Sequence, residues 1–530
     1  MAKWEEIAAS KRASLLKSIP QEWRIPDHIK PADDVLDVSS FQKTSGWFTE
    51  NELEITGQTV EQLLNKLASG ALSSLDVTKA FCKAASAAHQ LTNCLSETMF
   101  ESALKDAQEL DEHYKQTGKL KGPFHGLPIS LKDNFHYEGK DSTLGFVSLA
   151  NTPALTNSPL VDLLKAAGAV LYVKTNVPTA MMIAESVNNL FGRTVNPLNR
   201  KLTSGGSSGG ESALIAFRGS PTGVGSDIGG SLRIPAAMTG LVTLRPSYGR
   251  FPTIGTQSGL AGQEAVQSVN GPLAHTLQDV ELYCKGVVGC KPWNLDPGMI
   301  PLEWRKVTSP KKLKIGVLWD DGVVTPTPPI TRALHETVKK LKAAGHEVVD
   351  WAPTGHGELV TILGKLFLAD GGRSVEKLLA PVEEPIRPEM MAYKDASELG
   401  VHDMWQLQLE RTLWRAKYLD RLVKAGLDAI LAPTTPYAAV EHDYFKYVGY
   451  TGVWNVLDYS AVSFPTGLTA DHELDANYSS DQSLGKECAE IRELYNAKNI
   501  HGMPISLQLI ARRLEEEKVL AMTKTVLDAL

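Results

Sequence analysis

The feature that most constrains this chain is a glycine- and serine-rich stretch from Ser204 to Arg233, which reads SGGSSGGESALIAFRGSPTGVGSDIGGSLR. A flexible linker can have this composition, but it has no need of the apolar block Ala213–Phe217 that separates the two glycine clusters. Glycine permits positive φ angles and close approach of the backbone. Two such clusters beside a buried helix therefore predict backbone amides turned toward a ligand. We interpret Ser207 and Ser231 as the chemical centre, with Ser231 as the nucleophile.

Composition narrows the possible partners and compartments. Lys and Arg total 54 against 61 Asp and Glu, a net charge of −7, which argues against a nucleic-acid partner. No apolar run approaches the roughly 20 residues that span a bilayer, and the opening MAKWEE is too polar for a signal peptide. We therefore expect a cytoplasmic protein with no membrane span; a homodimer is expected by analogy only. The cysteines form no CxxC pair and are expected to be reduced thiols: Cys82, Cys94, Cys284, Cys290 and Cys488.

The order of apolar and amphipathic segments predicts an α/β fold. Residues 126–131 form a short apolar run that indicates a buried strand with Lys132 at its end, and residues 160–167 indicate a helix followed by a strand over 169–173. Such units pack as a sheet with helices on its faces. Residues 1–60 are predicted to form a helical arm on a catalytic domain that spans residues 61–530.

The segment around Ser231, DIGGSLR, is open to two interpretations. In the first, Ser231 is a nucleophile, and its own amide together with those of Gly229 and Gly230 forms an oxyanion hole. In the second, the segment is a tight glycine turn before a helix. Taken alone, the local pattern slightly favours the turn.

Ser207 satisfies the pattern GxSxG of the α/β-hydrolase nucleophile elbow. That elbow follows a hydrophobic strand, whereas residues 196–204 are polar, so the pattern is weak evidence for such an enzyme. No Gly-Lys-Ser/Thr follows the glycines, so the evidence for a phosphate-binding P-loop is weaker still.

The choice of catalytic base rests on Lys132 and the histidines. Burial at a strand end would lower the pKa of Lys132, as a general base requires, although a lysine that extends to solvent is the commoner fate. His125, His136 and His501 are isolated and show no metal-ligand spacing, which favours structural or surface roles. A serine–lysine mechanism is then the simpler account of the site.

Three segments together resemble the amidase signature family: PISLKDN around Lys132, GGSSGGE around Ser207 and DIGGSLR around Ser231. The resemblance extends to NNLFGRTVNP (188–197), LRPS (244–247) and HGMP (501–504). Within the family the chain is most similar to fungal acetamidases, which share the opening WEEIAASKR, the segment QLTNC (90–94) and residues 442–450. The resemblance implies one large α/β domain whose mixed, twisted sheet is covered by helices on both faces.

The resemblance also implies roles for individual residues. Ser231 would attack the amide carbonyl, Ser207, on a cis peptide bond, would relay the proton, and neutral Lys132 would be the base. No metal or cofactor is expected. The oxyanion would be bound by the amides of Ile228, Gly229, Gly230 and Ser231. Met181 would line the acyl pocket. Three further residues are expected to orient the glycine loops: Ser208, Asp227 and Arg233.

The function expected from these residues is hydrolysis of acetamide-like small aliphatic or aryl amides to carboxylate and ammonia through an acyl-enzyme. One alternative is an α/β-hydrolase esterase that uses Ser207 with a distant histidine such as His501. A second is a subunit of a transamidation complex that feeds ammonia to a partner on transfer RNA. A third is a catalytically silent scaffold, which the presence of Lys132, Ser207 and Ser231 argues against.

Overall fold

Fifteen strands and eighteen α-helices are assigned in the part of the chain that the computed structural model describes, residues 3–308, 311–478 and 482–530. The strands are β1 Leu95–Thr98, β2 Pro128–Lys132, β3 Val170–Thr175, β4 Val187–Asn188, β5 Gly192–Arg193, β6 Val195–Asn196, β7 Asn199–Thr203, β8 Thr222–Asp227, β9 Val242–Arg245, β10 Val269–Ala274, β11 Lys314–Val317, β12 Glu347–Asp350, β13 Ala429–Pro433, β14 Ala461–Thr469 and β15 Pro504–Ile510.

The helices are distributed along the whole chain. They are α1 Lys3–Lys17, α2 Phe41–Thr44, α3 Glu50–Gly57, α4 Val60–Ala68, α5 Ser74–Thr92, α6 Phe100–Thr117, α7 Pro159–Ala166, α8 Gly209–Ala216, α9 Arg233–Thr239, α10 Leu277–Gly289, α11 Pro328–Ala343, α12 His356–Phe367, α13 Arg373–Leu379, α14 Met391–Lys394, α15 Val401–Ala425, α16 Gly449–Leu457, α17 Lys486–Leu494 and α18 Glu516–Asp528. Short 3₁₀ helices cover Gln21–Trp23, Asp27–Ile29, Val147–Leu149, Thr179–Met181, Pro292–Asn294, Ala380–Val382 and Pro388–Met390.

Eleven of the strands form one mixed sheet in the order β1-β3-β2-β8-β10-β9-β14-β15-β13-β11-β12. Strand β2 is parallel to β3 and to β8, and β11 is parallel to β12 and β13. The strands between these two parallel groups pair antiparallel. Helices flank this sheet, so the predicted fold class, a single α/β domain built on a large mixed sheet, is confirmed.

Strand β8 lies at the centre of the candidate active site, and it was not predicted from the sequence. Its sequence, TGVGSD, has only two β-branched residues and no aromatic one, and it contains two glycines and an aspartate, which are depleted in strands. Glycine is required here because helix α8 packs directly on the strand: a Cβ on Gly223 would collide with the carboxylate of Glu211, and one on Gly225 would lie 2.7 Å from Ser208 Oγ. The close contact between helix and strand, rather than strand propensity, selects these residues.

Helix α1 contacts the rest of the chain through Lys11. Its Lys11 is buried and donates to the carboxylates of Glu97 and Asp141, the latter at 2.6 Å. The boundary at residue 60 between arm and catalytic domain stays a prediction. Among the described residues, every helix is too short or too polar to serve as a transmembrane segment.

Candidate active site

Lys132 ends strand β2 and is completely buried. Its Nζ donates to Ser207 Oγ at 2.7 Å and to Ser226 Oγ, on the neighbouring strand β8, at 2.8 Å. Burial lowers the pKa of Lys132 to about 7, although the nearby carboxylates of Asp227 and Glu211 oppose the shift. A substantial fraction of this lysine is therefore neutral at physiological pH and able to accept a proton.

Ser207 lies immediately before helix α8, and the peptide bond that joins it to Gly206 is cis. A Cβ on Gly206 would lie 2.6 Å from the backbone nitrogen of Glu185, so only glycine fits at this close approach. The next residue, Ser208, donates its backbone N–H to the carbonyl oxygen of Ser231 at 3.2 Å. The two serine segments that lie 24 positions apart in sequence are thus held together directly.

Accessibility differs among the three predicted catalytic residues. Lys132 and Ser207 are buried, whereas Ser231 is half-buried, together with Ile228 and Gly229 on the same loop. A substrate carbonyl can therefore reach Ser231, while the group that would hold the proton is shielded from water.

The loop before Ser231 differs in one respect from the predicted oxyanion hole. The N–H of Gly230 donates to Asp227 Oδ1 at 2.8 Å, which gives that amide a partner within the protein. Gly230 has a φ angle of +131°, and a Cβ there would collide with Thr451 Oγ1. Gly230 is therefore required for the shape of the loop, and of the four amides predicted to bind the oxyanion, those of Ile228, Gly229 and Ser231 remain candidates.

A buried ion pair between Asp227 and Arg233 stabilises the loop at residues 228–231. Arg233 Nε donates to Asp227 Oδ2 at 3.1 Å and Arg233 Nη2 donates to Asp227 Oδ1 at 3.1 Å, a two-point contact with both side chains fully buried. Burial alone would favour the neutral acid, but the Arg233 guanidinium holds the pKa of Asp227 well below its usual range. The ionised carboxylate can then accept the Gly230 N–H and keep the loop in place.

Helix α16 contributes two residues that sequence reasoning missed. Asn455 Nδ2 donates to Asp227 Oδ1 at 2.8 Å, and Thr451 Oγ1 donates to the carbonyl oxygen of Gly229 at 2.7 Å. Both lie more than 220 positions after the loop in the chain, and the sequence around them, GYTGVWNVL, carries no signal of a site. Only the tertiary fold brings them to the loop at residues 228–231 and to Asp227 beside it.

The predicted acyl-pocket residue Met181 lies in an apolar cluster that also contains Phe367, the last residue of helix α12. The Phe367 ring also lies against the loop at residues 228–231, since a Cβ on Gly229 would be 3.4 Å from the ring. Phe367 thus links the apolar cluster that contains Met181 to the loop before Ser231, and it was not identified from the sequence.

Glu211, in helix α8, is a second buried carboxylate near the lysine. It accepts hydrogen bonds from Ser130 Oγ at 2.6 Å and Thr175 Oγ1 at 2.9 Å, and burial raises its pKa to about 8. These contacts tie α8, and with it Ser207, to strands β2 and β3.

Of the three histidines considered from the sequence, none contacts Ser207 in the described structure. His125 Nδ1 accepts the backbone N–H of Lys121 at 3.1 Å, and His501 lies against His472. The group that contacts the Ser207 hydroxyl is Lys132. The geometry required by a serine–histidine esterase centred on Ser207 and His501 is therefore not present.

Comparison with known proteins agrees with this geometry. A family model described as Amidase matches residues 76–520. The chain belongs to the amidase family. It is 42% identical to the acetamidase of Emericella nidulans over 99% of this chain and 97% of the relative. It is 40% identical to the acetamidase of Aspergillus oryzae, with 99% of this chain and 98% of the relative covered.

A solved structure described as fatty acid amide hydrolase superposes on this amidase with a TM-score of 0.94 and 36% sequence identity, covering 99% of this chain and 94% of that one. The predicted family and the predicted enzyme class, a hydrolase of amides, are confirmed by these likenesses.

Proposed function

We propose that this amidase hydrolyses small aliphatic and aryl amides of the acetamide type to carboxylate and ammonia through a Ser231–Ser207–Lys132 triad. The observation that carries the mechanism is the 2.7 Å hydrogen bond from buried Lys132 Nζ to Ser207 Oγ, in a site where the pKa of the lysine falls to about 7. The choice of small amides is supported by the two acetamidases that match this chain over nearly its full length.

The first half of the reaction forms the acyl-enzyme. Neutral Lys132 accepts the proton of Ser207, and Ser207 in turn accepts the proton of Ser231, whose Oγ attacks the carbonyl carbon. The carbonyl π electrons move to oxygen, and the N–H groups of Ile228, Gly229 and Ser231 stabilise the resulting oxyanion. Removal of one such donor typically costs about 10²-fold in rate or more.

The second half releases both products. The proton held by Lys132 returns through Ser207 to the amide nitrogen, the C–N bond breaks, and ammonia leaves, because an amide nitrogen is a poor leaving group until protonated. Water then enters, the same relay accepts its proton, and hydroxide attack on the ester carbonyl frees the carboxylate and restores Ser231.

The test is ammonia release from a graded series of amides, from acetamide through hexanamide to a long-chain amide, with benzamide as the aryl member. We expect turnover that is highest for the short amides, and hydroxamate formation when hydroxylamine competes with water for the acyl-enzyme. His501→Ala is the control variant and should retain wild-type turnover. Absence of hydroxamate under conditions of rapid turnover would contradict the acyl-enzyme, and a preference for the long-chain amide would contradict the proposed substrate class.

Phe367 offers a direct test of the acyl pocket. Because Phe367 belongs to the same apolar cluster as Met181 and its ring lies next to the Gly229 backbone, Phe367→Ala should enlarge the space for the acyl group. We expect kcat/KM to fall for acetamide and rise for hexanamide, so that the ratio of the two changes by about tenfold or more, the discrimination that one or two methylenes allow. Phe367→Leu, with intermediate volume, should give an intermediate ratio. An unchanged ratio in both variants would remove Phe367 from the pocket.

A further inference from the structure

Asp471, His472 and His501 converge next to the ends of strands β14 and β15. A carboxylate oxygen of Asp471 and a ring nitrogen from each histidine all lie within 4.8 Å of one another. The two histidines are 29 positions apart in sequence, which is why neither shows the spacing of a metal-binding motif. The cluster therefore exists only in the folded chain.

The backbone holds the two segments in fixed register. Asp471 and His472 follow strand β14, and His501 precedes strand β15, its antiparallel partner. Between these strands and the cluster, Gly502 N–H donates to the carbonyl of Ala470 at 2.8 Å, and Ala470 N–H donates to the carbonyl of Met503 at 2.8 Å. The side chains are thus presented from adjacent, hydrogen-bonded strands rather than from independent loops.

The Asp471 carboxylate is held in place by the backbone that follows it. Its Oδ1 accepts the backbone N–H of Leu474 at 3.0 Å and that of Glu473 at 2.8 Å. The carboxylate is oriented by bonds to one oxygen and faces the two imidazole rings.

The separation of the two imidazoles matches a shared metal ion. His472 Nδ1 and His501 Nδ1 lie 3.2 Å apart, with the rings nearly perpendicular at 85°. Two nitrogen ligands at 2.0–2.1 Å from one tetrahedral Zn²⁺ are separated by about 3.3 Å. The backbone N–H of His472 also donates a long hydrogen bond to His501 Nδ1, at 3.3 Å, and metal binding at this nitrogen would displace that contact.

We propose that Asp471, His472 and His501 bind a divalent transition-metal ion of the Zn²⁺ type through two imidazole nitrogens and one carboxylate oxygen. Imidazole ligands favour Zn²⁺, Ni²⁺ or Cu²⁺ over Mg²⁺ and Ca²⁺, which prefer all-oxygen sites. The site lies on the surface, so solvent would supply the remaining ligand. The Glu473 carboxylate lies 4.0 Å from the other ring nitrogen of His472, Nε2. Such an ion would join the ends of β14 and β15.

The test is calorimetric titration of ZnCl₂ into untagged, chelator-treated full-length protein, with stoichiometry checked by native mass spectrometry. We expect one Zn²⁺ per chain at this site. His472→Ala and His501→Ala should each weaken binding at least about tenfold, since even the loss of a residue that only supports a ligand typically costs 10- to 100-fold in affinity. His28→Ala, which removes an exposed histidine elsewhere, should leave binding unchanged.

The double variant His472→Ala/His501→Ala decides the assignment. Loss of the one-equivalent Zn²⁺ binding in this variant, with an unchanged circular dichroism spectrum, would support the site. Equal Zn²⁺ affinity and stoichiometry in wild type and double variant would overturn the proposal, as would failure of the wild-type protein to bind Zn²⁺ more tightly than Mg²⁺.

Discussion

Ser231→Ala should lower kcat for every amide in the series by at least about 10⁴-fold, the scale seen when a catalytic serine is removed from a triad. The expected loss is this large because the variant cannot form the acyl-enzyme, while the loop, the Asp227–Arg233 ion pair and the substrate pocket all stay in place. At 1.36 kcal/mol per tenfold, the loss corresponds to about 5.4 kcal/mol of transition-state stabilisation. Steady-state ammonia release measures it, and hydroxamate formation should disappear in parallel.

The matched control for this variant is Ser212→Ala. Ser212 belongs to the same glycine- and serine-rich stretch and is buried. Its hydroxyl, however, donates to two backbone carbonyls, that of Ser204, which precedes helix α8, and that of Gly209, the first residue of the helix. We expect Ser212→Ala to cost about 1 kcal/mol of stability, the net value of a typical hydrogen bond, with kcat close to that of wild type. If Ser231→Ala kept kcat within tenfold of wild type, Ser231 would not be the nucleophile.

Lys132→Met should lower kcat by about 10²- to 10⁴-fold, the usual contribution of a positioned general base. Methionine retains the length and the apolar stem of lysine inside the buried strand end but removes the nitrogen that contacts Ser207 and Ser226. Lys132→Ala should be at least as inactive, and it additionally leaves a cavity. Thermal unfolding of both variants separates loss of catalysis from loss of fold.

The pH profile of the wild-type enzyme provides a second readout of Lys132. Burial lowers its pKa to about 7, and only the neutral amine can accept a proton. We therefore expect kcat/KM to fall about tenfold per pH unit below pH 7 and to become level above it. The residual activity of Lys132→Met should lack this inflection. Full activity in Lys132→Ala, or a wild-type profile that is flat between pH 5 and 8, would exclude lysine as the base.

Several parts of the site were predictable because their signals are local. Lys132 follows a short, mostly apolar run, which the structure shows as the fully buried strand β2, and a lysine at such a position must lose solvation. The helix between the glycine clusters was predicted from the apolar block at 213–217 and is observed as α8, although it begins earlier, at Gly209. The roles of Lys132, Ser207 and Ser231 stay proposals that rest on their contacts.

Other parts could not be read from local sequence. Strand β8 carries two glycines because helix α8 packs against it, so its composition reflects a neighbour rather than strand propensity. The Gly230 N–H was predicted to face the oxyanion, but whether an amide is available depends on the nearby Asp227 carboxylate, which accepts it. A motif identifies which amides share a loop and does not specify which of them already has a partner.

The amino-acid sequence by itself determined the family, the α/β class and the three segments that carry Lys132, Ser207 and Ser231, because each depends on a short run of residues with a distinct chemical pattern. Only the tertiary structure decided which distant residues complete the candidate active site and which form the Asp471–His472–His501 cluster on the surface. Thr451 and Asn455 of helix α16 contact Gly229 and Asp227, the Phe367 ring lies next to Gly229, and His472 meets His501. The physical reason is that sheet pairing and helix packing bring together side chains separated by tens to hundreds of residues, and no local pattern records those contacts.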